Sequence, residues 1–166
     1  ELFRKVNQVA RYFSELKLES GARIGIYSHK SSEQIVAILA MLSTEYVFVP
    51  ISRLLKPEQV EHIVKDCDIK CIITDKAKIK SIDEIAYSGK IVTYEAIERD
   101  IASFEEIYKC CSDEFTCNVM DYKNAAITYS FGLTGFPRGI VITHRNLIDS
   151  ARVVSNYLHL QESDVI

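Results

Sequence analysis

The stretch "AAITYSFGLTGFPRGIVITHRNL", residues 125–147, places three glycines, a proline and an arginine between two apolar runs. The two runs, at 124–130 and 139–143, each have the length and apolar character of a strand. Thr143 ends the second run, where its side chain would cap a helix predicted from about His144 to Leu158. The stretch therefore predicts a strand, a glycine-rich loop, a second strand and a helix.

Upstream of this stretch, helical and strand patterns alternate. Apolar residues spaced three and four apart predict a first helix within residues 1–19, and Gly21 just beyond it favours a left-handed cap. The apolar face of this helix consists of Leu2, Val6, Val9, Phe13 and Leu16. Short apolar runs predict four strands, at 22–28, 46–51, 70–75 and 90–93.

Two further helices separate these strands. Ser31 or Ser32 is expected to cap the first, and Pro57 fits the first turn of the second. The apolar residues assigned to the first are Ile35, Ile38, Leu39 and Leu42. The inner face of the second is predicted to contain Val60, Ile63, Val64 and Cys67. Residues 94–121 are polar and weakly periodic, and we expect an irregular connection with one helical turn around 104–108.

This alternation predicts an α/β fold, with a largely parallel sheet flanked by helices and right-handed crossovers. In such folds ligands bind at the carboxyl ends of the strands, where the glycine-rich loop falls. The final residues, "LQESDVI", resemble the start of another strand. We therefore interpret residues 1–166 as part of a longer protein.

The composition excludes several classes of partner. The 166 residues are 48% hydrophobic and 26% charged, with a net charge of −3, and they lack a basic stripe for nucleic acid. No apolar run approaches the roughly 20 residues that span a bilayer, and no signal peptide is recognisable. The five cysteines, an odd number, indicate reduced thiols in a cytoplasmic protein. A metal site at Cys110, Cys111 and Cys117 is the alternative, but the C-x-x-C spacing of zinc sites is absent.

The glycine-rich loop has the residue types of an anion site. Its glycines can adopt positive φ angles, so that successive backbone N–H groups face a ligand. Hydroxyls from Ser130 and Thr134, and the planar guanidinium of Arg138, suit phosphate oxygens. The residues expected to bind a polyphosphate are Ser130, Gly132, Thr134, Gly135, Arg138 and Gly139.

Two common phosphate-binding patterns do not fit this loop. The pattern G-x-x-x-x-G-K-[ST], started at Gly132, requires a glycine where Pro137 stands. The dinucleotide pattern G-x-G-x-x-G requires a glycine at Thr134. A plain glycine–proline turn between two strands is the remaining alternative without function.

The stretch resembles the loop of the adenylate-forming enzymes, which include acyl-CoA synthetases, aryl ligases, firefly luciferase and the adenylation domains of peptide synthetases. Their loop has the form Tyr-Thr-Ser-Gly-Ser/Thr-Thr-Gly-x-Pro-Lys-Gly, followed by Ser/Thr-His-x-Asn-Leu. "THRNL" at 143–147 matches directly, while Ser130 replaces threonine and Arg138 replaces lysine. The loop residues that match unchanged are Tyr129, Gly132, Thr134, Gly135, Pro137 and Gly139. The upstream helices and strands also resemble the N-terminal subdomain of this family, and "FVPISRLLKPEQVEHIVKDC" leans towards acyl-CoA ligases.

This resemblance implies the reaction. A carboxylic acid would attack the α-phosphate of ATP, supplied with Mg²⁺, to give an acyl-adenylate and pyrophosphate. The thiol of coenzyme A, or of a phosphopantetheine on a carrier protein, would then accept the acyl group. The loop would bind the β- and γ-phosphates. The catalytic residues and the metal ligands of the family lie downstream, so residues 1–166 alone are expected to be inactive.

Phe131 and Leu133 depart from the family pattern, because they stand where relatives have hydroxyl-bearing residues. Each lost hydroxyl removes a contact to phosphate worth about 1.5–3 kcal/mol. A catalytically dead relative that serves as a binding or regulatory module is therefore the second hypothesis. An unrelated α/β phosphate-binding protein is the third.

The histidines are given structural roles. His144 is expected to be a neutral, hydrogen-bonded residue at the start of its helix rather than a base. His29, His62 and His159 have no partner recognisable in the sequence, and are interpreted as solvated or capping residues. Tyr129 is expected to pack on its strand with its hydroxyl hydrogen-bonded.

Overall fold

The computed structural model describes residues 1–112, 114–131 and 137–164. Its helices are α1 (Leu2–Glu15), α2 (Ser32–Leu42), α3 (Pro57–Asp66), α4 (Ile79–Glu84), α5 (Phe104–Cys110) and α6 (His144–Leu158). Its strands are β1 (Arg23–Tyr27), β2 (Val47–Pro50), β3 (Ile69–Thr74), β4 (Lys90–Thr93), β5 (Asn124–Phe131) and β6 (Pro137–Thr143). A 3₁₀ turn, Lys76–Lys78, precedes α4.

The strands form one sheet in the order β4-β3-β1-β2-β5-β6. All neighbouring pairs are parallel except β5 and β6, which form an antiparallel hairpin. The predicted α/β fold with a largely parallel sheet is therefore confirmed. The six strands predicted within residues 22–143 are present, and α6 has the predicted bounds. Residues 160–164 of the segment expected to begin another strand form no strand, and residues 165 and 166 lie outside the described residues.

Two apolar cores cover the two faces of the sheet. The first contains side chains from α1, α2 and α5, together with Ile24 and Ile26 of β1. The second contains side chains from α3 and α4, together with Tyr27 of β1. Successive side chains of a strand point to opposite faces, so β1 contributes to both cores. Its position in the middle of the sheet places its carboxyl end where the strand order reverses.

The buried face of α2 is not formed by the four apolar residues assigned from the sequence, of which Ile38 and Leu42 pack against the core while partly buried. Val36, Ala37, Ala40 and Met41 are buried, whereas 54% of Ile35 is exposed. This helix is apolar on most of its surface, so its pattern does not single out one face. The small alanines allow α2 to approach the sheet and α1 closely, and this tertiary contact selects the face.

The structure also differs from the sequence-based expectations in three places. At the end of α1 the left-handed residue is Lys17, with φ of 52°, and Gly21 (φ 81°) lies in the following loop. Between β3 and β4 the chain forms the short helix α4, which the sequence analysis did not predict. The helical turn expected around 104–108 is a seven-residue helix, α5, with Ser103 and Glu106 as a reciprocal capping box.

The cysteines and helices of the described residues are consistent with the composition. All five cysteines are free thiols, with Cys67 and Cys71 buried. Among the described helices, none has the length and apolarity to cross a membrane.

Two phenylalanines on α1 test the core. Phe13 is fully buried and 76% of Phe3 is exposed. We expect Phe13→Ala to lower the free energy of unfolding by about 3–5 kcal/mol, because it removes contacts and leaves a cavity. Phe3→Ala is the matched control on the same helix and should change it by no more than about 0.5 kcal/mol. Urea-induced unfolding measures both, and equal losses would contradict the assigned face.

The buried thiol of Cys71 should make the folded protein less stable at alkaline pH. Burial raises the pKa of its thiol from 9.0 to about 12 against a smaller opposing effect of Lys90. A pKa raised by folding gives stability that is complete below pH 9 and is lost as the pH rises towards 12.

In Cys71→Ala, the decline in unfolding free energy between pH 9 and 11 should be shallower by on the order of 1 kcal/mol per pH unit. Cys110→Ala, which removes an exposed thiol, is the control and should leave the slope unchanged. Urea unfolding at a series of pH values measures this, and parallel slopes for all three proteins would refute the assignment to Cys71.

Candidate functional site: the β5–β6 hairpin

The β5–β6 hairpin brings two of the predicted phosphate-binding residues together. Ser130 and Arg138 are directly opposite each other in the antiparallel ladder, and both are exposed. The alternation of side chains places them on the face of the sheet that faces away from α3. The Arg138 side chain forms no hydrogen bond or ion pair with another described residue, so its guanidinium is available to an anion. The pair stands at the carboxyl edge of the sheet, one residue from the Phe131–Pro137 pair that ends the ladder.

Three of the predicted residues cannot be placed. Gly132, Thr134 and Gly135 lie outside the described residues, as does Leu133. Their assignment to the phosphates stays a prediction.

Gly139 has a different reason for being glycine than the expected one. It lies within β6, opposite Tyr129, and Gly21 is the described glycine with positive φ. A Cβ atom at Gly139 would lie 3.0 Å from Ile127 Cγ2 and 3.3 Å from Tyr129 Cζ. Gly139 therefore does not adopt the positive φ that a loop glycine can take, and the close cross-strand packing of Tyr129 accounts for the absent side chain. Its assignment to the phosphates stays a prediction.

Tyr129 packs as predicted, with its hydroxyl satisfied. The Tyr129 hydroxyl donates to Asp66 Oδ2, at 2.5 Å, across 63 residues of chain. Burial, followed by the nearby Asp66 carboxylate, raises the pKa of this phenol above its usual range. Tyr129 therefore stays protonated and acts as a donor at all physiological pH values.

The second part of the motif, "THRNL", forms the start of α6. Thr143 Oγ1 accepts from the Asn146 N–H at 3.2 Å, and Asn146 Oδ1 accepts from the Thr143 N–H at 3.1 Å. Arg145 binds the Asp121 carboxylate through Nε and Nη2, at 2.9 and 2.8 Å. These contacts cap the helix and attach it to the segment before β5, which gives the motif a structural role.

His144 is neutral as expected, because burial lowers the pKa of its imidazole. Its backbone N–H donates to Lys123 O at 3.1 Å. The expectation of a hydrogen-bonded ring is not met in full, since the buried Nε2 has no partner among the described residues. Of the other histidines, His159 is the left-handed C-cap of α6, as the capping interpretation allows.

His29 has a partner that the sequence analysis did not recognise. Its Nδ1 lies 2.8 Å from Asp75 Oδ2, and its backbone N–H donates to the same oxygen at 2.6 Å. The other Asp75 oxygen caps the 3₁₀ turn by accepting from the Lys78 N–H at 3.1 Å. His29 follows β1 and Asp75 follows β3, so the signal was their position after neighbouring parallel strands.

The His29–Asp75 pair lines a cleft of about 640 Å³ at the carboxyl edge of the sheet. The charged residues around it are Glu33, Asp75, Glu95, Glu105 and Lys76. An excess of carboxylates disfavours a polyphosphate through like-charge repulsion. The edge of the sheet therefore has an acidic cleft at one position and the Ser130–Arg138 pair at another, and the second suits phosphate.

Comparison with known proteins identifies the family. The model of the family described as "AMP-binding enzyme" matches residues 1–166, the whole chain. The chain therefore belongs to this family of adenylate-forming enzymes, as the glycine-rich stretch and the α/β fold indicate.

Curated relatives of the chain include two bacterial synthases. Tyrocidine synthase 1 of Brevibacillus parabrevis is 26% identical over 166 residues, which are 100% of this chain and 14% of that protein. Surfactin synthase subunit 1 of Bacillus subtilis (strain 168) is 29% identical over 167 residues, which cover 100% of this chain and 4% of that protein. The chain thus spans a small part of the length of these relatives.

Solved structures share the fold. The anthranilate CoA ligase AuaEII in complex with anthranoyl-AMP superimposes with a TM-score of 0.84 and 23% identity, covering 91% of this chain and 30% of that one. ATP-bound MatB from Rhodopseudomonas palustris superimposes with a TM-score of 0.85 and 24% identity, covering 99% of this chain and 33% of that one. The chain therefore has the fold of about one third of each of these two proteins.

The capping of α6 can be tested at Thr143. We expect Thr143→Ala to lower the free energy of unfolding by about 1 kcal/mol, because the Asn146 N–H loses its acceptor. Thr143→Ser keeps the hydroxyl and should recover most of that loss. Urea unfolding measures the difference, and equal destabilisation by both substitutions would show that the hydroxyl does not cap the helix.

Proposed function

We propose that the protein containing this chain is an ATP-dependent, AMP-forming carboxylate ligase. In this reaction a carboxylate oxygen attacks the α-phosphorus of MgATP, and the bond to the β-phosphate breaks to release pyrophosphate. A thiolate then attacks the acyl carbon of the adenylate, and AMP leaves. The observation that carries the proposal is the Ser130–Arg138 pair at the base of the glycine-rich loop, in a chain that matches the AMP-binding enzyme family throughout.

The charge of the hairpin supports this placement of the phosphates. Arg138 is exposed and has no acidic partner among the described residues, so an anionic ligand does not compete with an internal salt bridge. In our proposal Arg138 and Ser130 bind oxygens of the β- and γ-phosphates, together with Thr134 and the backbone N–H groups of Gly132 and Gly135. Neutralising the leaving pyrophosphate in this way stabilises the charge that develops as the α–β bond breaks.

Magnesium enters the proposal as part of the MgATP substrate. Among the described residues, no cluster of three or more His, Cys, Asp or Glu side chains could hold a metal ion. The described residues therefore do not fit a dedicated magnesium site, and this chain's own contribution is to the phosphates. The pockets for adenine and the acid are assigned to segments beyond residue 166, so this segment alone should not turn over.

For the acceptor we propose a pantetheine thiol, which is the reacting group of both coenzyme A and phosphopantetheinylated carrier proteins. Solved structures of similar fold include CoA ligases. The sequence relatives include tyrocidine synthase 1 and a polyketide synthase–nonribosomal peptide synthetase. Assays that offer coenzyme A and a phosphopantetheinylated carrier protein separately distinguish the two sources of the thiol.

The second candidate is a catalytically dead relative that binds a ligand or a partner without adenylating it. Phe131 and Leu133 favour it, because both replace residues that carry hydroxyls in the family pattern. The two candidates differ in whether acid-dependent exchange of pyrophosphate into ATP occurs.

The first test is ATP–pyrophosphate exchange with the full-length protein and a panel of aliphatic, aromatic and amino acids. Acid-dependent exchange is expected, and Arg138→Ala should raise the KM for ATP by about 10–100-fold, because a hydrogen bond to a charged group is lost. Arg138→Lys should retain most of the activity. Arg152→Ala, which removes an exposed arginine of α6 paired with Asp149, is the control and should leave the KM for ATP unchanged. An Arg138→Ala protein with unaltered kinetics would contradict the assignment of phosphate binding to Arg138.

The dead-relative candidate has its own test in the reversions Phe131→Ser and Leu133→Ser. If the unaltered protein exchanges pyrophosphate, this candidate is excluded. Exchange that appears only in the reverted proteins would establish it and would identify the two apolar residues as the cause of the loss.

A further inference from the structure

We propose that Asp66 is a positioning residue for the glycine-rich loop, acting through Tyr129. The contact between their side chains, together with Gly139, is called the Asp66–Tyr129 anchor below. The inference rests on the proposed function, because it is the loop's binding of phosphate that the anchor serves. Asp66 is the last residue of α3 and lies outside the glycine-rich stretch.

The anchor joins two parts of the fold that are distant in sequence. The hydroxyl of Tyr129 donates to Asp66 Oδ2, at 2.5 Å, and the ring packs against the apolar core under α3 and α4. The end of α3 is itself held by β1, since Arg23 Nε donates to Cys67 O at 2.7 Å. Tyr129 lies two residues before the end of β5 at Phe131. It thus attaches β5 to the C-terminal end of α3, which β1 in turn holds in place.

Gly139 makes room for this contact. It is paired directly with Tyr129 in the hairpin, and a Cβ atom there would lie 3.3 Å from Tyr129 Cζ and 3.4 Å from its hydroxyl oxygen. An aromatic ring lying across a cross-strand glycine is a recurrent way to fill the missing side chain. Any side chain at position 139 would displace the ring on which the hydrogen bond to Asp66 depends.

The hairpin needs a support at this point. Between β2 and β5 the described ladder has the single register pair Phe48–Ala126. Beyond Ala126 the described part of β5 pairs with β6, which is the edge strand of the sheet. The direction of the β5–β6 hairpin relative to the parallel sheet therefore depends on side-chain contacts beyond Ala126, and the Tyr129 hydroxyl supplies a directional one. Because side chains alternate along a strand, fixing Tyr129 towards α3 fixes Ser130 towards the opposite face, beside Arg138.

The position of Asp66 opposes ordinary helix electrostatics. A carboxylate in the last turn of a helix faces the negative end of the helix dipole. The neighbouring Lys65 does not neutralise it, because Lys65 Nζ pairs with Glu61 Oε1 at 2.6 Å, and Asp66 forms no salt bridge with a described residue. A carboxylate in such an unfavourable position is expected where it serves a functional site. The hydrogen bond from the Tyr129 hydroxyl compensates for the unfavourable electrostatics of Asp66.

The experiment compares four variants of the full-length protein: Tyr129→Phe, Asp66→Ala, the double substitution, and Asp66→Asn, which keeps an acceptor oxygen. In ATP–pyrophosphate exchange, Tyr129→Phe and Asp66→Ala should each raise the KM for ATP by about 10–100-fold, because misplacing a positioned group by about 1 Å can cost up to about 100-fold. The double variant should be no worse than either single variant, and Asp66→Asn should recover most of the loss. The KM for the acid should not change.

The matched control is Asp68→Asn. Asp68 lies two residues from Asp66, pairs with Arg23 and Lys70 at 2.6 and 2.7 Å, and its side chain forms no hydrogen bond or ion pair with the described residues of β5. Its φ of 50° is a conformation that asparagine tolerates. This variant should keep the parental KM for ATP.

Amide hydrogen exchange of residues 130–139 is measured on the same proteins without substrate. Faster exchange in Tyr129→Phe than in the parent and in Asp68→Asn is expected, with slow exchange restored in Asp66→Asn. Lower thermal stability with unchanged KM and unchanged exchange in this segment would show a purely structural contact and overturn the proposal. If the unaltered protein shows no acid-dependent pyrophosphate exchange, the proposed function fails. In that case amide hydrogen exchange alone tests the Asp66–Tyr129 anchor. Equal exchange rates of residues 130–139 in the parent and in Tyr129→Phe would refute the proposal.

Discussion

Strand β1 is hydrogen-bonded along both edges and covered on both faces, and this double burial sets the arrangement of the other elements. Ile24 and Ile26 point into one core, while Gly25 and Tyr27 face the other. At Gly25 the methyl ends of Ile69 and Ile51 would come within 3.2 and 3.3 Å of a Cβ atom. Because β2 and β3 lie parallel to β1 on opposite sides, their crossover helices α2 and α3 must lie on opposite faces.

The hairpin of β5 and β6 is the one departure from parallel pairing among the described strands, and it has a chemical consequence. A parallel strand leaves the carboxyl edge through a long crossover, whereas an antiparallel partner returns from the same edge at once. Ser130 on the outgoing strand and Arg138 on the returning strand therefore become neighbours. Elsewhere at this edge, Asp75 links the ends of β1 and β3 and lies in a cleft of acidic character. The carboxyl edge of the sheet thus has an acidic cleft, which disfavours anions, and the Ser130–Arg138 pair, which favours them.

Several elements could be predicted from signals that lie within a few residues of the sequence. A capping residue, an apolar period and a glycine-rich interruption act over a few residues, and for this reason all six strands and the bounds of α6 were predictable. Local signals were not sufficient where packing chooses between equivalent options. The apolar surface of α2 offers several faces, and α4 is a short helix whose periodic signal is weak. The conformation of Gly139 was not predictable, because a glycine allows both a positive φ and a close approach, and the sequence of its strand does not distinguish the two.

The sequence by itself determined the α/β class, the order of the strands, the glycine-rich stretch with its family resemblance, and the Thr143 cap of α6. These depend on backbone hydrogen bonds and side-chain periods within short segments. The tertiary structure alone decided that Tyr129 contacts Asp66, 63 residues away, and that His29 contacts Asp75, 46 residues away. Such pairs depend on which strands become neighbours in the sheet. The strand order follows from the need to bury both faces of the sheet at the same time. That condition applies to the whole chain, so no single segment of the sequence contains it.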